Sequence, residues 1–372
     1  MALRDRGAPV KGLAGFPSTR EGVSVFFPGV KRVLLRLALV LCALAAAAVA
    51  AELVVERLDV YGVHYYGDVQ QYLRGAIEVP DPGEVTPEGR IFENKPGLHL
   101  VLTHFEYLTD ERRLRTAAGR TPPAGAMPVL FLGDSVTLAW GVDDGDSWPR
   151  RVERGGRAPD GRPLEAQNAG HLMYDTTQQA SLLRAWGPTL KPELVVLTYN
   201  FNDLQPTWDQ LVELHPLESA PAAGGQALPP GGGGSDGADN PVADFFWALR
   251  DLWRYKRDLD RLAEADRSTL PPYSYYPKGW PRCEAALDDV RRTCEALGAQ
   301  LVINDHSFPA VPELPRWCEG HGVPCISTAL PEGDQRRYRN SPIDTHLNAE
   351  GNALVAKSVL KQLAALGILQ VP

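Results

Sequence analysis

The chain has 372 residues, 44% of them hydrophobic and 23% charged. That is enough for one large domain with extensions or for two domains, and it excludes a wholly disordered chain. The formal net charge of −8 argues against a protein built to hold nucleic acid, which needs a basic excess.

The charge is unevenly placed. Residues 1–36 carry Arg4, Arg6, Lys11, Arg20, Lys31, Arg32 and Arg36 against Asp5 and Glu21, a net of +5 that leaves −13 for the remainder. Leu37 to Ala51 holds no charge; extended back to Val33 the run is 19 residues, interrupted only by Arg36. About 20 helical residues cross a bilayer core, and the Arg36 stem can snorkel to the headgroups. The expectation is a disordered cytoplasmic tail at 1–32 and a transmembrane signal anchor at 33–53, with the N-terminus inside because the basic excess precedes the span. A cleaved signal peptide is the alternative, since Ala48-Val49-Ala50 fits an A-x-A cleavage pattern. Either way the body of the protein is expected in the periplasm or an equivalent extracytoplasmic space. There, the even count of Cys283, Cys294, Cys318 and Cys325 permits disulfides. Cys283 and Cys294 on one helix would stand roughly 16 Å apart, too far to bridge, so Cys318–Cys325 is the better pair. Those two with His321 lack a fourth ligand for zinc, and neither a metal nor a cofactor is expected.

Residues 54–124 hold an aromatic cluster (Tyr61, Tyr65, Tyr66, Tyr72) without a clear period and read as a stalk or cover segment. A domain is expected over 125–368. Val129–Leu132, Leu164–Asn168, Leu194–Thr198, Leu301–Ile303 and Val323–Ser327 read as buried strands, and Thr176–Leu190, Pro281–Leu297, Val311–Glu319 and Leu347–Leu366 as helices. Such alternation predicts a parallel sheet covered on both faces. A flexible Gly/Pro-rich insertion is expected at 219–241. Asp143, Asp144 and Asp146 read as caps for the next helix, and Trp140 and Trp148 as core.

Polar residues stand where the strands stop, which is where open parallel sheets build their sites. Ser135 lies in a Gly-Asp-Ser turn, Asn202 comes after the third strand, and Asp344-Thr345-His346 precedes the last helix. A serine nucleophile needs a base and the base an orienting acceptor, roles that Ser135, His346 and Asp344 can fill. The Asn202 amide and backbone N–H groups near Gly170–Met173 can face an oxyanion. His171 borders that loop as a candidate substrate contact, and His306 as a packing or capping group.

Phe131-Leu-Gly-Asp-Ser-Val-Thr137, Asn168-Ala-Gly170 with Thr177-Gln178, Phe201-Asn-Asp-Leu204 and Asp344-Thr-His-Leu-Asn348 followed by Gly351 resemble, in order, the blocks of the SGNH (GDSL-type) hydrolases. The resemblance implies a flavodoxin-like three-layer α/β/α fold and a Ser/His/Asp mechanism without a metal. Ser135 would be the nucleophile, His346 the base and Asn202 an oxyanion donor. This chain departs from the family pattern at three points. Met173 stands where the second block has glycine, with Gly170 the nearer candidate donor. Asn200 begins the third block in place of glycine. The acid stands two residues before the histidine, at Asp344, and Ile343 occupies the family's usual place. The resulting expectation is an extracytoplasmic serine esterase acting on an acylated glycan or lipid. The alternatives are an O-acyltransferase working on a surface polysaccharide and a catalytically silent glycan-binding module.

Overall fold

The computed structural model describes residues 28–58, 62, 64–78, 91–207, 275–276, 278–328, 330 and 335–372. The basic tail up to residue 27 and the insertion expected at 219–241 lie outside the described residues.

Helix α1 (Pro28–Leu58) carries the apolar run. Its segment Arg32–Ala51 is, among the described residues, the one stretch of helix long and apolar enough to cross a membrane. Val33, Leu34, Leu37, Leu41 and Leu44 are all exposed on it, a face that water does not favour.

The body of the chain is an eight-stranded sheet. Five parallel strands form one side of it, from the edge strand β10 inward: β6 (Met127–Leu132), β7 (Leu164–Asn168), β8 (Leu194–Tyr199), β9 (Gln300–Asp305) and β10 (Cys325–Ser327). Their order is β10-β9-β8-β6-β7, the doubly wound arrangement in which the chain reverses direction between β6 and β8. Of these, β6, β8 and β9 are largely apolar on both sides because helices cover both sides, whereas β7 carries Glu165 and Gln167 and β10 buries only Ile326. Leu130, Leu132, Val195 and Leu197 pack with Leu183 of α5 (Thr176–Leu190) and with Leu287 and Val290 of the next long helix, Trp280–Leu297. Val129, Phe131 and Val196 face the other way, onto Val152 of α4 (Trp148–Gly155) and onto Val355 and Val359 of the C-terminal helix, Ala349–Ala365. In chain order these two helices are α6 and α8, with α7 (Glu313–His321) between them.

The cover segment does more than pack on the domain. After α2 (Tyr65–Gly75) and a short antiparallel pair, β1 (Ile77–Glu78) with β2 (Glu93–Asn94), the strands β3 (His99–Val101), β4 (Glu106–Thr109) and β5 (Arg115–Thr116) continue the same sheet. They run antiparallel, joined through Arg115 opposite Asn168 of β7. Hairpin-connected strands can lengthen a parallel sheet only by running antiparallel, because a parallel neighbour needs a crossover of a dozen residues or more.

Two expectations are corrected. Helix α4 is capped by Ser147, whose side chain accepts the Arg150 N–H; the acids before it have other partners. Asp144 pairs with Arg150 at 2.9 Å, Asp146 with Arg151 at 2.7 Å, and Asp143 accepts the Glu106 N–H at 2.8 Å. Cys318 and Cys325 are free thiols, although their side chains hydrogen-bond to one another. Cys283 and Cys294 are both buried on α6.

Candidate active site

The end of β6 and the end of β8 are adjacent because the two strands pair in parallel, Leu132 beside Leu197. The loops that leave these two strands are therefore brought together at the point where the chain reverses. After β6 comes Gly133, at φ +157°; a Cβ there would lie 2.1 Å from Thr137 Oγ1 and 3.2 Å from Thr198 Cβ. Only glycine fits. Asp134 then caps α3 (Ser135–Leu138) by accepting the Val136 N–H at 2.9 Å. Ser135 is the first residue of that helix and 8% exposed. Its hydroxyl makes no hydrogen bond among the described residues.

After β8, Asn200 caps a short turn over Phe201–Leu204, in a reciprocal box with Asp203. Asn200 Nδ2 donates to Asp134 Oδ2 at 3.1 Å, and the Asn202 side chain hydrogen-bonds the same carboxylate. Burial pushes the Asp134 carboxyl up, against the Val136 amide, the Asn200 and Asn202 side chains and the charge of His346. Asp203 lies behind it, fully buried, accepting from Thr176 Oγ1 at 2.9 Å. Burial holds Asp203 far above the usual carboxylate range, and repulsion from Asp134 and Asp175 adds to this.

The loop after β7 presses against α3. A Cβ on Gly170 would sit 2.2 Å from Leu138 N. The Gly170 N–H is engaged by its neighbour, the Asn168 side chain, at 3.0 Å. Gly170 therefore serves close packing and does not present its amide to a substrate. Met173 does what the glycine at its place would do: its backbone is left-handed, at φ +65°, and its side chain is buried in the core. The Met173 N–H donates to no group among the described residues. His171 is 2% exposed. One ring nitrogen lies 3.0 Å from the Ala169 carbonyl and the other accepts the Asn94 N–H at 3.3 Å, while the ring stacks on Tyr174. It links β2 to the loop, an arrangement that leaves no ring nitrogen for a substrate.

The third part precedes α8. Ser341 Oγ accepts the N–H groups of Ile343 and Asp344 at 3.2 and 2.8 Å, which turns the chain so that Asp344 points back at His346. Asp344 Oδ1 is 2.6 Å from His346 Nδ1 and 3.1 Å from the His346 backbone N. Its Oδ2 accepts from Asn340 Nδ2 at 3.0 Å. Burial works to raise the Asp344 carboxyl, but attraction to His346 and these hydrogen bonds overcome it and leave the carboxyl below its ordinary range. The cap of α8 is Asn348, which accepts from Glu350 and Gly351, so Asp344 is not a helix cap. The His346 ring packs 5.8 Å from Tyr65 and 6.4 Å from Trp140.

Ser135, Asn202, Met173, Asp344 and His346 thus stand around the carboxyl end of one sheet. Sequence reasoning missed Asn340, Tyr65 and Arg115. Tyr65 was visible only as one of an aromatic cluster, and Asn340 carried no signal. His306 is buried, with Nδ1 3.1 Å from the Thr328 carbonyl.

The sequence model of the GDSL-like lipase/acylhydrolase family matches residues 131–354, more than half of the chain. The protein belongs to that family. No curated protein matches the chain. Similar solved structures include a family 3 carbohydrate esterase of Clostridium thermocellum, 15% identical, covering 65% of this chain and 97% of its own, at a TM-score of 0.36. A psychrotrophic esterase from Pseudoalteromonas sp. is 12% identical, covers 64% and 97%, and scores 0.37. An acetylxylan esterase from Geobacillus stearothermophilus is 11% identical, covers 65% and 96%, and scores 0.35.

Proposed function

We propose that this protein is an extracytoplasmic serine esterase that hydrolyses an O-acyl ester, held at the membrane by α1. The observation that carries the reading is the 2.6 Å Asp344–His346 pair at the same end of the sheet as the Ser135 hydroxyl, which has no partner among the described residues. In this mechanism Ser135 Oγ attacks the ester carbonyl carbon while His346 Nε2 takes its proton. Asp344 keeps the imidazole proton on Nδ1 and balances the imidazolium that forms. The Met173 N–H and the Asn202 amide receive the negative oxygen of the tetrahedral intermediate. The alcohol leaves with the proton from His346, and water then enters by the same path to release the acid. The hydroxyl and the imidazole need not be bonded beforehand, since such contacts commonly tighten only around substrate. His171 takes part as a link in the scaffold. The +5 charge ahead of the apolar helix supports an inside N-terminus.

The test is labelling of the full-length protein by a fluorophosphonate, with peptide mass spectrometry to locate the adduct. Adduct on Ser135, lost in His346→Ala, is expected. An unlabelled Ser135 in folded protein sinks the hydrolase and leaves the glycan-binding module standing.

A further inference from the structure

If the chain is the esterase proposed above, its nucleophile and its base must be kept in register, and the turn that does so rests on that reading. Residues 138–142 form the turn by which the chain leaves α3. Ala139 ends the helix in the left-handed region, at φ +58°, where alanine is disfavoured and something must hold it. Arg115, from β5, points into this turn. Its guanidinium donates to the carbonyls of Leu138, Ala139 and Val142, at 2.7 Å for Ala139. Arg115 is 1% exposed and lies over the rings of Phe105 and Tyr107. It forms no ion pair among the described residues. A buried guanidinium whose partners are backbone carbonyls acts on backbone geometry.

The far side of the same turn meets the histidine loop. The Trp140 N–H donates to the Ser135 carbonyl at 3.1 Å. The Trp140 carbonyl accepts from Asn340 Nδ2 at 3.3 Å, and that amide also reaches Asp344 Oδ2 at 3.0 Å. Next to it, a Cβ on Gly141 would fall 1.9 Å from Asn340 Nδ2. Contacts therefore run without a break from Arg115 through the turn to Asn340, Asp344 and His346. We propose that Arg115 is a positioning residue: by fixing the carbonyls of residues 138–142 it sets the register between Ser135 and the Asp344–His346 pair. It lies ahead of the 131–354 stretch that the family covers, so the cover segment helps to build the site.

The test uses full-length protein in detergent, with p-nitrophenyl acetate as the probe. Arg115→Lys keeps the charge but loses the planar fork that reaches three carbonyls. Its kcat is expected to fall on the order of ten- to a hundredfold, as misplacement of reacting groups does, with KM within about twofold. Combined with Asn340→Ala, the rate losses should be less than additive, because both act through one turn. The His346 ring titration, followed by NMR, should move in Arg115→Lys. Wild-type kcat and an unmoved His346 titration in folded Arg115→Lys overturn the proposal. If that variant does not fold, Gly141→Ala disturbs the same turn with Arg115 in place, and an unchanged kcat and titration there overturn it equally. Should wild-type protein neither turn over the ester nor take the fluorophosphonate, the esterase reading fails; the His346 titration, which needs no turnover, then decides the positioning role by itself.

Discussion

Replacing Asp344 by asparagine keeps the shape of the side chain and removes its charge. The native carboxylate receives donors on both oxygens: the ring and backbone nitrogens of His346 on Oδ1, at 2.6 and 3.1 Å, and Asn340 on Oδ2, at 3.0 Å. An amide has one oxygen, so one set must face an NH₂. With the oxygen toward His346, the new NH₂ confronts the NH₂ of Asn340. Reversed, the NH₂ points at Nδ1 and favours the tautomer with its proton on Nε2, which cannot take the proton of Ser135. The native carboxyl is held below its ordinary range, so at neutral pH a full charge is lost. One charged hydrogen bond is worth about 1.5–3 kcal/mol; the buried, partly repaired site should lose roughly 1–3 kcal/mol of stability. The chemical loss should be larger, about 10²–10⁴ in kcat/KM, because the wrong tautomer is inactive. The assay is ester turnover and Tm on the same preparations of wild type, Asp344→Asn, His346→Ala and the double variant. The double should be no slower than His346→Ala, since the pair acts as a unit. Activity above a tenth of wild type with a lowered Tm would refute the orienting role.

Asn202→Ala should keep the fold and lower kcat by roughly 10²–10³, the usual effect of removing one oxyanion donor; unchanged turnover at unchanged Tm removes Asn202 from the mechanism. Gly170→Ala places a methyl against the backbone of Leu138, which cannot step aside as a side chain could. We expect a stability loss of about 1–3 kcal/mol together with slower Ser135 labelling, and a wild-type Tm would show the loop to be looser than the contact implies. His306 is buried neutral, pushed down from 6.5 to about 4 by burial and by Arg339, against its bond to Thr328. The unfolded chain takes up that proton first, so stability falls as pH drops through about 6.5 and the loss levels off below about 4, amounting to on the order of 3 kcal/mol. The buried Asp134 and Asp203, raised in the folded state, pull the other way over the acid range. The informative quantity is therefore the difference in urea midpoint between wild type and His306→Gln at pH 7, 5.5 and 4; a constant difference counts against the titration. Intact mass of membrane-extracted protein should include residues 1–50, and a mature N-terminus at Ala51 would mean that the helix is a cleaved signal.

The strands β6, β8 and β9 and the helices beside them were legible in the sequence because these strands are buried on both faces and so read as largely apolar runs. Strand β7, with Glu165 and Gln167, and the three-residue β10 carry a weaker signal. Thr176–Leu190 could be placed to the residue, and the structure adds Asp175 as its cap. Ser135 and Asn202 could be singled out from the sequence because each is a polar residue just past an apolar strand, and Asp344 and His346 because Asp-x-His stands directly before the last helix; their roles are proposals. The conformation of Met173 was not legible, since nothing local announces a methionine in the left-handed region; packing in the core holds it there. Nor was the choice of cap for α4, where Ser147 and three aspartates compete and long-range partners decide. The antiparallel extension of the sheet is the clearest case. Strands of two to four residues have too few positions for a period to show, and Arg115 reads as an ordinary surface residue. Only the pairing of Arg115 with Asn168, about fifty residues away in the chain, carries that guanidinium under the turn that follows α3. Local pattern can determine an element and its chemistry, but which distant carbonyls a buried charge will meet is decided only when the sheet closes around it.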